Sequence, residues 1–260
     1  MGYENRRILA EKSCRKAADV IKGIRMDIHE TTKGVPQNAV TKADTEAERA
    51  IVEMIHSEFP DDEVLGEEFS PGNTGRHKRV WIIDPLDGTN NYANGIPQYA
   101  VSIAYAEEGD VKIGVIYDPE RDELFSAVKG MGARLNSKEI SVSGKGGNAE
   151  ALIATGFYYD RGEVMEQTLK TVRVLFDNGI RGIRRMGSAA LDLAWTGCGR
   201  FDAYFEYQLS VWDYAAGILI VKEAGGVCMD VSGRDLSLES GGVIASNRNL
   251  SEWIKHVVSI

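Results

Sequence analysis

Two aspartates close together at the end of an apolar run are the first chemistry this chain offers. Asp84-Pro85-Leu86-Asp87-Gly88-Thr89 follows Val80, Trp81, Ile82 and Ile83. That order places two carboxylates at the C-terminal end of a strand, where open α/β sheets put their ligands. On a sharp turn, two such carboxylates reach adjacent metal ions. Pro85 removes a backbone donor there, and Gly88 lets the chain turn tightly or approach a ligand. Thr89 adds a hydroxyl and an amide at an expected helix start, a ready seat for phosphate. An Asx-turn followed by a helix cap would use the same residue types.

Two further acidic sites have the same character. Glu67 comes just past a short apolar strand, Glu63-Val-Leu65, although an isolated Glu pair is ordinarily surface charge. Asp213, in Trp212-Asp213-Tyr-Ala-Ala-Gly217, opens an apolar helix, where a plain N-cap is the usual role. Hard oxygen ligands with no converging His or Cys suit Mg²⁺ rather than zinc. His29, His56, His77 and His256 fall at no ligand spacing, and Cys14, Cys198 and Cys228 include no CxxC pair, so they read as buried free thiols.

The elements that must position these groups follow from periodicity. Ile8, Leu9, Ala17, Val20 and Ile21 predict an amphipathic helix from Tyr3 to about Arg25, and Ala47, Ile51, Ile55 and Phe59 a second from about Thr45 to Phe59, with Asp44 as its N-cap. The polar segment 31–38 between them reads as a loop or loose hairpin. Strands are expected at Arg79–Asp84, Ala100–Ala106, Val111–Tyr117 and Glu123–Val128, forming an antiparallel meander. Beyond Ser143-Gly-Lys-Gly-Gly-Asn148, strands at 151–155, 180–185, 203–207, 227–230 and 243–246 alternate with helices near 163–177, 189–196, 214–224 and 250–258. The expected organisation is therefore an N-terminal antiparallel-sheet half, 1–145, carrying most of the metal ligands, and a C-terminal α/β half, 146–260, completing the site.

At 260 residues, 43% hydrophobic and 27% charged, the chain is neither disordered nor fibrous. A formal charge of −9 argues against a nucleic-acid partner, and against an anionic substrate unless the acidic residues collect cations that reverse the local field. There is no apolar leader in Met1–Ile8 and no run approaching the roughly 18 apolar residues of a membrane span, so no membrane partner and a cytoplasmic location are expected. Arg6 stands where a myristoylation signal after Gly2 would need Ser or Thr.

Taken together, the motifs resemble the inositol monophosphatase family over nearly the whole chain. Trp81-Ile-Ile-Asp-Pro-Leu-Asp-Gly-Thr-Asn-Asn-Tyr92 is similar to its first signature and Trp212-Asp213-Tyr-Ala-Ala-Gly217 to its second. Asn38–Asp44, Gly66-Glu67-Glu68, Gly130–Asn136, Met186–Ala190 and Lys222–Gly226 fit further segments. The resemblance implies the sugar phosphatase fold, with layers alternating α-β-α-β-α, and a homodimer. It implies two or three Mg²⁺ ions per subunit on Glu67, Asp84, the Leu86 carbonyl, Asp87 and Asp213. Asp44, Glu67 and Thr89 match the catalytic positions that organise the metal-bound attacking water or an additional metal. Asp87, Gly88 and Thr89 match phosphate contacts, and Gly187, Ser188, Ala189 and Glu206 match contacts to sugar or inositol hydroxyls. Lys33 falls where the family carries a lysine on a loop.

The implied activity is Mg²⁺-dependent hydrolysis of a small phosphorylated sugar or cyclitol, inositol 1-phosphate and/or fructose 1,6-bisphosphate, without a phosphoenzyme. Between Glu206 and Trp212 the chain reads Tyr-Gln-Leu-Ser-Val, where many inositol phosphatases carry Gly and then His or Arg. Arg181, Arg184 and Arg185 are surface cations or, in a sharper reading centred on Arg184, the seat of a second phosphate. A 3′(2′),5′-bisphosphate nucleotidase and a catalytically silent sugar-phosphate-binding protein are the competing readings.

Overall fold

The structure is a computed structural model describing residues 3–24, 30–32, 39–69, 78–159 and 161–259, with backbone alone for 30–32 and 39–41. Lys33, His29 and His77 lie outside the described residues. The chain opens with helix α1 (Glu4–Ile24), an antiparallel strand pair β1 (Glu30–Thr32) and β2 (Ala39–Thr41), and helix α2 (Lys42–Glu58). A seven-stranded sheet follows, built from β3 (Glu63–Gly66), β4 (Arg79–Asp87), β5 (Ala100–Glu107), β6 (Asp110–Asp118), β7 (Glu123–Val128), β8 (Ala133–Leu135) and β9 (Lys138–Glu139), with the short helix α3 (Thr89–Ala93) between β4 and β5. Its order is sequential. The expected meander is present, except that β3 joins β4 in parallel at the edge.

The C-terminal part comprises β10 (Leu152–Thr155), α4 (Glu163–Asp177), β11 (Gly182–Arg184), α5 (Ala189–Gly197), β12 (Ala203–Glu206), α6 (Val211–Glu223), β13 (Val227–Met229), β14 (Val243–Ser246) and α7 (Ser251–Val258). Its five strands form one mixed sheet in the order β11-β10-β12-β14-β13. The β10 pairings are parallel and the β14 pairings antiparallel.

Layering explains the sequence pattern. Residues 80–87 of β4 are all buried, as a strand covered on both faces requires. Alternate side chains serve different layers. Trp81 and Ile83 pack with Leu9, Ile21, Ile51 and Ile55 of α1 and α2, whereas Val80 and Ile82 join the core that contains α5 and α6. Those two helices lie between sheets, so α5 is buried along its whole length and α6 from Tyr214 to Val221. Helices α4 and α7 cover the outer face of the five-stranded sheet through Leu175, Ile254 and Val257. The result is the expected α-β-α-β-α stack. Each fully buried Ile or Leu in it contributes about 1.5–3 kcal/mol of transfer free energy.

Four boundaries near the site differ from expectation. Helix α2 starts at Lys42, so Asp44 is buried in its first turn and is not its N-cap. Strand β4 continues to Asp87, with its pairing to β5 shifting between Asp84 and Asp87, where Pro85 has no N–H to give. Helix α6 begins before Asp213, with Ser210 at the N-cap. Strand β11 is confined to Gly182–Arg184. Among the described residues, no helix is long and apolar enough to cross a membrane. The three cysteines are unpaired, with Cys14 and Cys228 buried and Cys198 half-buried.

Candidate active site

The irregular end of β4 delivers Asp84 and Asp87 to one place, and the N-terminus of α6 brings Asp213 to meet them. Carboxylate oxygens of these three residues all lie within 4.8 Å of one another. Local bonds fix each one. The Leu86 N–H donates to Asp84 Oδ1 at 3.0 Å, and the Ser210 N–H donates to Asp213 Oδ2 at 2.7 Å. Asp87 Oδ2 accepts from the Ser188 hydroxyl at 2.5 Å and from the Ala190 N–H at 2.7 Å, which binds β4 to the start of α5. Glu67, half-buried just past β3, acts on this group through its charge.

Crowding buried carboxylates raises the free energy of their charged forms. Burial, then the charges of Glu67, Asp87 and Asp213, pushes the Asp84 carboxyl well above its usual range. Asp213 is raised likewise, by burial and then by Asp87 and Glu67. Burial lifts Asp87 to about 6 against the hydrogen bonds from Ser188 and Ala190 that favour its ionised form. Such a cluster is electrostatically incomplete. An oxygen-only donor set with this much negative charge fits a hard divalent cation of the Mg²⁺ type.

Above the carboxylates lies a cavity lined by Asp87, Gly88, Thr89, Gly187, Ser188, Ala189, Glu206 and Asp213, among others. Gly88 and Gly187 sit back to back with φ of 97° and 87°, and a Cβ on Gly88 would stand 3.2 Å from the Gly187 carbonyl oxygen. The Asn91 amide locks this junction by donating to the Gln98 carbonyl at 2.7 Å and the Met186 carbonyl at 2.8 Å. Thr89 Oγ1 is 2.8 Å from Asp44 Oδ1 and 3.0 Å from the Leu86 carbonyl oxygen. Glu206 accepts from the Tyr204 hydroxyl at 2.8 Å, and burial pushes it up to about 7.

Arg184 is exposed, donates to the Ile183 carbonyl at 2.9 Å and is not among the residues lining the cavity, whereas its neighbour Arg185 lines it. Three further residues of the site carry no motif: Asp192 and Tyr159, which line the cavity, and Glu48, which accepts from the Glu68 and Phe69 amides beside Glu67. Asp44 and Glu48 share the apolar face of α2 with Ile51 and Ile55, and Asp192 interrupts an apolar helix, so buried acids were the available signal.

Converging carboxylates that could hold a metal ion, beside a hydroxyl-bearing cavity on this layered fold, fit a phosphatase. The model of the inositol monophosphatase family matches residues 3–260, and the chain belongs to that family, whose members are in general Mg²⁺-dependent phosphatases. It is 41% identical over 241 residues to a Nus factor SuhB of Pasteurella multocida, covering 92% of this chain and 90% of that one. It is 39% identical over 224 residues to a fructose-1,6-bisphosphatase/inositol-1-monophosphatase of Thermotoga maritima, covering 86% and 83%. The solved structure of a Thermotoga maritima IMPase superposes with a TM-score of 0.89 at 36% identity, covering 98% of this chain and 96% of that one.

Proposed function

We propose that this protein hydrolyses the phosphate monoester of a small polyol or sugar, inositol 1-phosphate foremost, with Mg²⁺ as cofactor. The observation that carries this reading is the convergence of Asp84, Asp87 and Asp213 within 4.8 Å under a cavity lined by Thr89, Ser188 and Glu206. Those three carboxylates, with Glu67 and the Leu86 carbonyl, would hold two or three ions per subunit. Bound Mg²⁺ supplies positive charge that neutralises the phosphate oxygens, acidifies water and stabilises the leaving alkoxide.

The chain's own residues do the positioning. In this reading the amides and hydroxyl around Gly88 and Thr89 seat the phosphate, and Asp87 holds its place through Ser188 and Ala190. The Thr89 hydroxyl, donating to Asp44, keeps a lone pair free to take a proton from the attacking water as its own proton passes to the Asp44 carboxylate, and Glu67 helps orient that water. Direct attack needs no phosphoenzyme. Gly187, Ser188, Ala189 and Glu206 face the alcohol. Residues 1–145 thus supply most of the metal ligands, and residues 146–260 complete the site through Asp213 and the alcohol-facing groups. A homodimer, implied by the family resemblance, belongs to the same reading.

Fructose 1,6-bisphosphate is the second and weaker substrate in this reading, because Arg185 is the only cation among the described residues lining the cavity that could meet a further phosphate. Phosphate release with Mg²⁺ from inositol 1-phosphate, fructose 1,6-bisphosphate and 3′-phosphoadenosine 5′-phosphate, compared as kcat/KM, tests the proposal. Preference for the nucleotide would make this a nucleotidase, and tight binding without release a silent binding protein.

A further inference from the structure

Asp192 is the exception among the described buried aspartates. Asp44 accepts from Thr89, Asp62 from Arg6 and Trp81, Asp118 from Arg121, and Asp202 from Ser143, Lys145 and the Leu152 amide. Asp192 is 1% exposed, yet its Oδ1 receives no donor, and no described residue donates to its carboxylate. It occupies the first turn of α5, one turn beyond the Ser188 that holds Asp87, and it lines the cavity. Burial, then the charge of Glu206, pushes its carboxyl well above the usual range. A buried carboxylate without donors is costly, and nothing in the surrounding fold uses it.

Glu206, on β12, lines the same cavity and acts on Asp192 through its charge. Among the described residues one donor, the Tyr204 hydroxyl, satisfies that carboxylate, and room for it exists because residue 156 is glycine: a Cβ there would stand 1.9 Å from Glu206 Oε2. Arg185 lines the same cavity and lowers the pKa of both acids through its charge, without forming an ion pair with either. The wall facing the leaving alcohol therefore presents two under-satisfied acceptors and one cation. Hydroxyl groups, which both donate and accept, match two carboxyls on one cavity wall whether or not each holds its proton. A second phosphate placed there would meet two carboxyl groups with one cation, Arg185, to offset them.

We infer that Asp192 is a specificity-determining residue that pairs with Glu206 to accept neighbouring hydroxyls of the leaving alcohol, making the cavity selective for the monophosphate of a polyhydroxy ring over a bisphosphate. The inference rests on the phosphomonoesterase reading above and narrows its substrate class. Asp192 does not touch the reacting atoms, and its effect is on which alcohol is held.

The test compares wild type, Asp192→Asn and Asp192→Leu at saturating Mg²⁺ on inositol 1-phosphate, fructose 1,6-bisphosphate and 4-nitrophenyl phosphate, which has no alcohol hydroxyls. With Asp192→Leu, KM for inositol 1-phosphate should rise about tenfold or more, while kcat/KM for 4-nitrophenyl phosphate stays within about twofold. Asp192→Asn should raise the efficiency on fructose 1,6-bisphosphate relative to inositol 1-phosphate. Asp192→Asn should not lower the Tm of the substrate-free protein, because no hydrogen bond to Asp192 within the described residues is lost. An equal loss on all three substrates, or a lowered Tm with unchanged substrate preference, would overturn the role of Asp192. Wild-type protein that releases phosphate from none of the three would overturn the underlying phosphatase reading as well, and the two failures are thereby told apart.

Discussion

Thr89 Oγ1 lies 2.8 Å from Asp44 Oδ1, joining the first turn of α2 to the start of α3 across 45 residues of sequence. Asp44 is 1% exposed and Thr89 9%. The single hydroxyl proton therefore has two nearby acceptors, Asp44 and the Leu86 carbonyl, of which Asp44 is the nearer. If the pair orients the attacking water, Asp44→Asn and Thr89→Ala should each lower kcat by about 10²–10⁴. The double variant should be little worse than either single one, because the two act as a unit. Steady-state kinetics on the set of three reads this out, and additive losses would separate the two residues' roles.

Asp87→Asn keeps an oxygen that can accept from Ser188 and the Ala190 amide, so the fold should survive it. It removes one of three crowded charges, which should leave the metal-free Tm equal or higher. Turnover should be abolished. The rise in Tm that Mg²⁺ gives the wild type should also shrink sharply, since ligation is linked to folding. Differential scanning calorimetry with EDTA and with Mg²⁺ measures both, and a full Mg²⁺ shift in this variant would exclude Asp87 as a ligand.

How much of this was legible in the chain can be judged residue by residue. The turn from Asp84 to Thr89 was readable because Pro, Gly and paired Asp constrain one another locally. The layering was readable because β4 is apolar on both faces. Arg185 was not distinguishable from Arg184, since the short β11 gives no alternation to set the register. Asp44 was misplaced as an N-cap because Lys42 and Ala43 offer no start signal, and tertiary contact with Thr89 rewards burying Asp44 instead. Glu48 acts through the Glu68 and Phe69 amides, 20 and 21 residues away, a pairing that periodicity does not reveal.

Glu206 gives a pH dependence with a definite sign. Burial raises its carboxyl from 4.5 to about 7, with Tyr204 and Arg185 opposing the rise and Asp87 adding to it. Asp192 stands on the same wall. A carboxyl whose folded pKa exceeds its unfolded one holds its proton better in the folded state. Its contribution to stability is complete below about pH 4.5 and is lost as pH rises through about 7. Metal-free wild type should therefore lose stability between those limits, and Glu206→Gln should lose measurably less. Urea denaturation in EDTA across that range tests it; parallel curves for the two proteins would show that Glu206 is not the titrating group.

The position of Glu67 depends on a residue with no motif of its own. Glu48 Oε2 accepts from the Glu68 amide at 2.8 Å and Oε1 from the Phe69 amide at 3.0 Å, while the Glu67 amide donates to the Ile83 carbonyl at 3.3 Å. The Glu67 segment is thus pinned between α2 and β4. Gly66 makes this possible, because a Cβ there would stand 2.2 Å from Glu48 Oε1. In Glu48→Ala, two amides lose a charged acceptor in a partly buried setting, which should cost about 1–3 kcal/mol of folding stability. Glu48→Gln keeps an acceptor oxygen and should cost less. Beyond stability, loosening the segment should weaken the hold on Mg²⁺ about 10–100-fold in Glu48→Ala, as loss of an outer-sphere support does. Titrating activity and Tm against Mg²⁺ separates the two effects: stability loss with an unchanged Mg²⁺ midpoint would make Glu48 a structural cap alone.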